Sequence, residues 1–283
     1  MRLAYLGTPA AAVVPLRALV AAGHDVALVV SRADARRGRG SVTSPSPVKA
    51  AAQALGLPVT ERVADLVELD PVPELGVVVA FGRLIRPPVL AVVPMVNLHF
   101  SLLPRWRGAA PVERAILAGD EVTGVCVMAV EEGLDTGGVH RRIEVVIGPD
   151  ETAEELRGRL VEAGTAALVD ALGGGLGPAV RQEGEPTYAA KLTPDELRLD
   201  WDGSVVAVHR AVRVGGAWTT VGGRRLKVHR TAVPPTGAVD GVVVPAGDGS
   251  VELLEVQPEG RGRMTAGAWA RGAHVAPGTR LDP

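Results

Sequence analysis

Leu3-Ala4-Tyr5-Leu6-Gly7-Thr8-Pro9 opens the chain as a short apolar run that stops at a turn. A helical stretch over 14–22 follows, ended by Gly23, so the unit reads as a buried strand feeding a helix. The pattern recurs downstream. Strands are expected over 2–6, 25–31, 76–81, 95–99 and 124–130, and helices over 14–22, 48–55, 108–118 and 153–172. In the last helix Leu156, Leu160, Ala163, Ala167, Leu168 and Leu172 share one face, and Thr152 with Glu155 forms a capping box. Strand–helix alternation of this kind predicts a doubly wound α/β domain.

The character changes after Gly173-Gly174-Gly175. A polar, irregular stretch over 181–203 leads to short strand-like segments at 217–221, 225–229, 241–244 and 251–256, parted by Gly, Pro and Asp. These predict a small all-β domain. The expected division is a first domain over 1–190, a linker over 191–203 and a second domain over 204–283.

Composition narrows the function. At 47% hydrophobic and 22% charged, the 283 residues carry enough apolar material for a core, which excludes a disordered chain. One cysteine, Cys126, excludes a disulfide framework. The net charge of −2 excludes a polycation, although residues 204–283 hold 10 Lys and Arg against 6 Asp and Glu. The apolar start is broken by Gly7-Thr8-Pro9, Pro15 and Arg17, so it does not read as a leader. No stretch approaches the ~18–20 apolar residues of a membrane span, and the expected compartment is the cytoplasm. G-x-G-x-x-G and Walker patterns are absent, and six scattered histidines predict no metal.

The chemistry concentrates between Asn97 and Gly137. Asn97 and His99 lie two apart at an expected strand end and so project to one side. In an open α/β sheet ligands bind outside the carboxyl ends of the strands. An amide and an imidazole aimed at one point there suit a carbonyl oxygen as it becomes an oxyanion. Farther on, Glu131-Glu132-Gly133-Leu134-Asp135-Thr136-Gly137 supplies a carboxylate in a glycine-flanked turn. Together Asn97, His99 and Asp135 suit acyl transfer to an amine. From the residues alone other readings stand: Asn as a turn residue, His as a structural side chain, and Asp-Thr-Gly as half of an aspartic-protease pair, which needs a second copy.

The stretch from Asn97 through Ser101-Leu102-Leu103-Pro104 to Gly133-Leu134-Asp135-Thr136-Gly137 resembles the signature of formyltransferases that use 10-formyltetrahydrofolate. Leu6-Gly7-Thr8-Pro9, Gly38-Arg39-Gly40, Arg107-Gly108-Ala109-Ala110-Pro111 and Tyr188-Ala189-Ala190-Lys191-Leu192 resemble the branch whose acceptor is initiator Met-tRNA. The resemblance implies a Rossmann-like parallel-sheet domain followed by an OB-like β-barrel; a monomer is expected. It implies that Asn97, His99 and Asp135 are catalytic. It also implies that Ser101, Leu102, Leu103, Pro104, Phe81, Gly82 and Leu84 contact the folate. Contacts to tRNA are expected from Arg32, Arg36, Arg37 and Arg39 in one loop, and from Arg224, Arg225 and Lys227 in the second domain. No metal is implied. Two departures lie on the expected tRNA side: Val214-Gly215-Gly216-Ala217-Trp218 lacks the prolines of an Asn-Pro-x-Pro-Gly-Ala element, and Ala33 and Arg36 stand where a proline is common. Against this reading stand an enzyme formylating a small amine and a tRNA-binding protein without catalysis.

Overall fold

A computed structural model gives the fold and describes residues 1–36, 43–276 and 278–282. The chain divides into two compact units. The first takes Met1–Pro111, Val122–Val146 and Arg157–Ala189; the second takes Val112–Glu121, Ile147–Leu156 and Ala190–Pro283. Two short segments from the expected first domain therefore group with the second.

In chain order the first unit carries strands β1 (Arg2–Gly7), β2 (Asp25–Val30), β3 (Ala35–Arg36), β4 (Thr43–Ser44), β5 (Val59–Thr60), β6 (Leu75–Val79), β7 (Met95–His99), β8 (Arg107–Gly108), β9 (Val122–Ala129), β10 (Val139–Val146) and β11 (Tyr188–Ala189). Helices α1 (Val13–Ala21), α2 (Pro47–Ala54), α3 (Pro87–Leu90), α4 (Pro111–Ala118) and α5 (Ala153–Gly174) interleave with them, α4 lying mostly in the second unit. Seven strands make one sheet in the order β10-β9-β7-β6-β1-β2-β5. From β5 to β7 the pairs are parallel; β9 and β10 extend the edge antiparallel. The chain leaves central β1 for β2 and β5, then returns to place β6 on the other side of β1. That reversal is the switch point where open α/β sheets bind ligands. Leu3 to Leu6 are wholly buried, as an apolar run covered on both faces requires.

Local chemistry moves some expected boundaries. The strand expected over 76–81 stops at Val79, because Ala80 (φ +46) and Gly82 (φ +67) turn the chain. The helix expected from 108 begins at Pro111, because Gly108 (φ +114) belongs to β8. Strand β10 escaped the sequence pattern: Val139-His140-Arg141-Arg142-Ile143-Glu144-Val145-Val146 is an edge strand and needs only one apolar face. Helix α5 starts on the expected capping box, with Thr152 N donating to Glu155 Oε2 at 2.8 Å.

The second unit holds α6 (Val205–Arg213), β12 (Trp218–Val221), β13 (Arg224–Ala232), β14 (Val242–Ala246), β15 (Gly249–Pro258), β16 (Met264–Thr265) and α7 (Ala266–Ala273). Its curled antiparallel sheet runs β12-β13-β15-β14, with β16 on β15. Gly222 (φ +56) and Gly223 (φ +75) make the tight turn between β12 and β13. The all-β expectation for residues 204–283 needs correction, since helices α6 and α7 lie among them. The Val-Val-Ala-Val start of α6 looks like a strand. Ser204 caps it, its Oγ accepting from Ala207 N at 3.1 Å, and the helical spacing sends Val208 and Val212 into the core with Trp201 and Trp269.

Candidate active site

Strand β7 ends at the switch-point edge of the sheet, and Asn97 and His99 leave it on the same face. His99 is buried, while Asn97 is half-buried. Across β9, His99 lies opposite Cys126, which is fully buried. Burial pushes the Cys126 thiol up, so it stays protonated and inert. The ring of His99 is oriented by one contact: Nε2 lies 2.9 Å from the carbonyl oxygen of Trp106. A carbonyl only accepts, so Nε2 carries the proton and Nδ1 of the neutral ring is the acceptor. Nδ1 is 3.7 Å from Asp135 Oδ2. The Asn97 amide forms no hydrogen bond among the described residues.

Asp135 comes from the loop joining β9 to β10. Its Oδ2 accepts from the backbone N–H of Gly108 at 2.8 Å. The three-residue stretch Trp106-Arg107-Gly108 thus gives a carbonyl to His99 and an N–H to Asp135. Four non-glycine residues among those described have positive φ, and three of them, Ala80, Trp106 and Asp135, lie in the segments that follow β6, β7 and β9. Such backbone persists where surrounding contacts over-determine it. Here Trp106 N donates to Thr187 Oγ1 at 2.8 Å, Arg107 N to Thr187 O at 2.9 Å, and Ala109 N to Ala189 O at 2.9 Å. Gly108 is required by this pairing, since a Cβ would lie 3.0 Å from Ala189 O at a φ that side chains rarely adopt.

The structure brings the three expected catalytic residues together. The expected folate contacts divide. Leu103 packs in a core cluster with Cys126, Met128 and Val139, and Phe81 in another with Leu6 and Val30, so their side chains shape loops rather than face solvent. Ser101 is buried too, its hydroxyl donating to Arg105 O at 2.5 Å. Leu102 and Pro104 are half-buried, Gly82 is exposed, and Leu84 is 77% exposed. Val79 pairs with Leu98, which sets residues 80–85 beside the end of β7. Of the expected tRNA contacts, Arg37 and Arg39 lie outside the described residues. Arg36 is in β3, and exposed Arg32 donates to Gly82 O at 3.2 Å. Arg224, Arg225 and Lys227 are exposed on β13, and the Arg225 guanidinium stacks 4.0 Å from the centre of the Trp218 ring. Among the described residues no group of three or more His, Cys, Asp or Glu is placed to hold a metal, and no helix is long and apolar enough to cross a membrane.

Sequence reasoning missed three contributors: the Trp106 carbonyl, the Gly108 N–H and the side chain of Gln182. The first two act through backbone, which leaves no residue-type signal. Gln182 is 47 residues from Asp135 and donates to its carbonyl.

Comparison with known proteins agrees with this geometry. Residues 1–172 match the formyl transferase family model and residues 191–274 match that of the formyl transferase C-terminal domain. A methionyl-tRNA formyltransferase of Jannaschia sp. (strain CCS1) is 44% identical over 304 aligned residues that span both chains completely. Among solved structures, methionyl-tRNA formyltransferase from Clostridium thermocellum superposes with a TM-score of 0.64 at 17% identity, covering 93% of this chain and 100% of that one. HypX from Aquifex aeolicus in complex with tetrahydrofolic acid gives 0.70 at 16% identity, covering 98% of this chain and 48% of that one. The strand-end cluster, the two matched domains and the full-length identity converge: the chain belongs to the formyl transferase family, in its methionyl-tRNA formyltransferase branch.

Proposed function

We propose that this chain transfers the formyl group of 10-formyltetrahydrofolate to the α-amino group of methionine on initiator Met-tRNA. One observation carries the chemistry: Asp135 Oδ2, pinned by Gly108 N, stands 3.7 Å from the Nδ1 of a His99 whose Nε2 is already committed to Trp106 O.

The residues fit a formyl donor. The half-buried Asn97 amide has no protein partner among the described residues, and such a group is satisfied by a carbonyl oxygen from a ligand. Exposed Leu84, in the segment beside the end of β7, offers apolar surface to a flat ring. When bound, the folate supplies an activated formyl carbon on its N10.

Asn97 donates to the formyl oxygen, where negative charge gathers as the amine adds. His99 Nδ1 accepts the proton that the amine nitrogen sheds on bonding to the formyl carbon. Asp135 stabilises the resulting imidazolium through its carboxylate, without itself taking the proton. His99 then returns that proton from Nδ1 to the departing N10, and the neutral ring is restored. The exposed cations Arg32, Arg224, Arg225 and Lys227 supply phosphate contacts to the tRNA, with Trp218 and Arg225 as a stacked pair, and Arg36, Arg37 and Arg39 of the same loop as Arg32 are assigned the same role from the sequence.

The test is formyl transfer from 10-formyltetrahydrofolate to charged initiator Met-tRNA, with uncharged tRNA and free methionine as controls. Transfer to the charged tRNA alone is the expected result. Folate binding without transfer to that acceptor overturns the reading of the acceptor; no folate binding overturns the reading of the donor.

A further inference from the structure

The side chain of Gln182 has every polar position occupied. Its Nε2 donates to the carbonyl oxygens of Asp135 and Gly137, both at 2.8 Å. Its Oε1 accepts from Arg107 Nε at 3.1 Å and Nη2 at 2.7 Å. A guanidinium only donates, and a carbonyl only accepts, so the amide has one allowed orientation.

Three features show what this amide holds. Asp135 sits at φ +51, in the left-handed region that aspartate tolerates but does not prefer, so contacts to its flanking carbonyls help hold it there. Gly137 is locked on the other side, because a Cβ there would collide with the Ala129 carbonyl. The antiparallel bridge between Val139 and Val180, with N–H···O distances of 2.7 and 2.9 Å in the two directions, brings Gln182 opposite Gly137 by register. One NH2 group thus joins the two carbonyls that bracket the Asp135–Gly137 turn. Arg107, which holds the other end of Gln182, lies between the residue that orients His99 and the residue that pins Asp135.

We propose that Gln182 is a positioning residue for catalysis: its amide, braced by Arg107, fixes the backbone of the Asp135 turn so that the carboxylate stays on Gly108 N and beside His99. Gln182 touches no reacting atom. The inference rests on the catalytic role assigned above to Asp135, and the test separates the two.

The test is a double-mutant cycle with Gln182→Glu and Asp135→Asn, read as formyl transfer in the full-length protein. Gln182→Glu keeps length and the Arg107 contact but loses both N–H donors and sets a carboxylate against two carbonyls. In the wild-type background kcat is expected to fall by about 10-fold or more, with KM for folate and for tRNA changed by less than about 2-fold. In the Asp135→Asn background the same change is expected to cost less than about 2-fold, because a residue acting through Asp135 has nothing left to position. An undiminished penalty in the Asp135→Asn background overturns the proposal. So does a Gln182→Glu protein with wild-type kcat, or one whose kcat, KM values and melting temperature deteriorate together and are not restored by lower assay temperature. Gln182→Leu, which removes all four hydrogen bonds, must fall on the same line; a Leu variant as active as wild type overturns it as well. If instead Asp135→Asn alone leaves kcat unchanged, it is the role of Asp135 that fails, and the proposal for Gln182 fails with it.

Discussion

Asp135 in the first unit and Glu252 in the second are both carboxylates with little exposure, and they are solvated in opposite ways. Glu252 is 1% exposed on β15 and accepts four hydrogen bonds from residues 236–238. They come from Thr236 N at 2.6 Å, Thr236 Oγ1 at 2.7 Å, Gly237 N at 3.2 Å and Ala238 N at 2.7 Å. Asp135 accepts one, from Gly108 N, and its other oxygen has no hydrogen-bond partner among the described residues. A carboxylate that spends its whole acceptor capacity on one short segment holds a loop. One that keeps capacity in reserve beside an imidazole has something left to offer a reaction.

The sharpest way to break that contrast is Asp135→Asn. Asparagine adopts the left-handed conformation as readily as aspartate and still accepts from Gly108 N, so the turn survives and only the charge is lost. Formyl transfer is expected to fall by about 10²–10⁴-fold, with stability within about 0.5 kcal/mol of wild type. Steady-state kinetics beside chemical denaturation measure both. A variant that unfolds, or one that keeps its activity, would place Asp135 in the same class as Glu252.

Glu252→Ala is expected to do the reverse. It strips the carboxylate from three backbone N–H groups and a hydroxyl, at a cost of about 3 kcal/mol of unfolding free energy, while folded molecules retain their catalytic rate. The pH dependence sharpens the point. Burial pushes the Glu252 carboxyl up, but its hydrogen bonds from Thr236, Ala238 and Gly237 together hold it below its usual 4.5. The unfolded chain therefore takes up this proton first as the solution is acidified. The stabilisation is complete above about pH 4.5 and is lost as pH falls through the folded value. Denaturation at pH 6 and again below 4.5 should show the gap between wild type and Glu252→Ala closing; a gap that does not change with pH would deny the carboxylate its role. Subtracting the variant also removes the loss expected from His209, whose pKa burial pushes down.

What could be read from the sequence divides along the same line. The three side chains proposed to be catalytic were legible because two lie on one strand at period two and the third sits in a glycine-flanked turn. The parallel core was legible because Leu3 to Leu6 and Val77 to Val79 are unbroken apolar runs. Gln182 and Glu252 were not, because their meaning lies in which backbone groups they reach 47 and 16 residues away. Helix α6 was hidden by its own β-branched residues, whose strand propensity was overridden by a serine cap and a core that accepts Val208 and Val212. Backbone donors such as Gly108 N leave no trace in residue type.

Glu155 completes the series at its weak end. Hydrogen bonds from the backbone and hydroxyl of Thr152, then a pairing with Arg230, pull its carboxyl down to about 2. By that shift alone it outranks Glu252. Its side chain is 45% exposed, however, so water stands ready to replace each partner. What Glu155→Ala removes is one half of a capping box on α5, worth about 1 kcal/mol or less, with formyl transfer unchanged. Salt discriminates its parts: raising the ionic strength should erase the share due to Arg230 and leave the share due to Thr152. A loss as large as that of Glu252→Ala would mean that the size of a pKa shift, rather than burial, ranks the structural carboxylates of this protein.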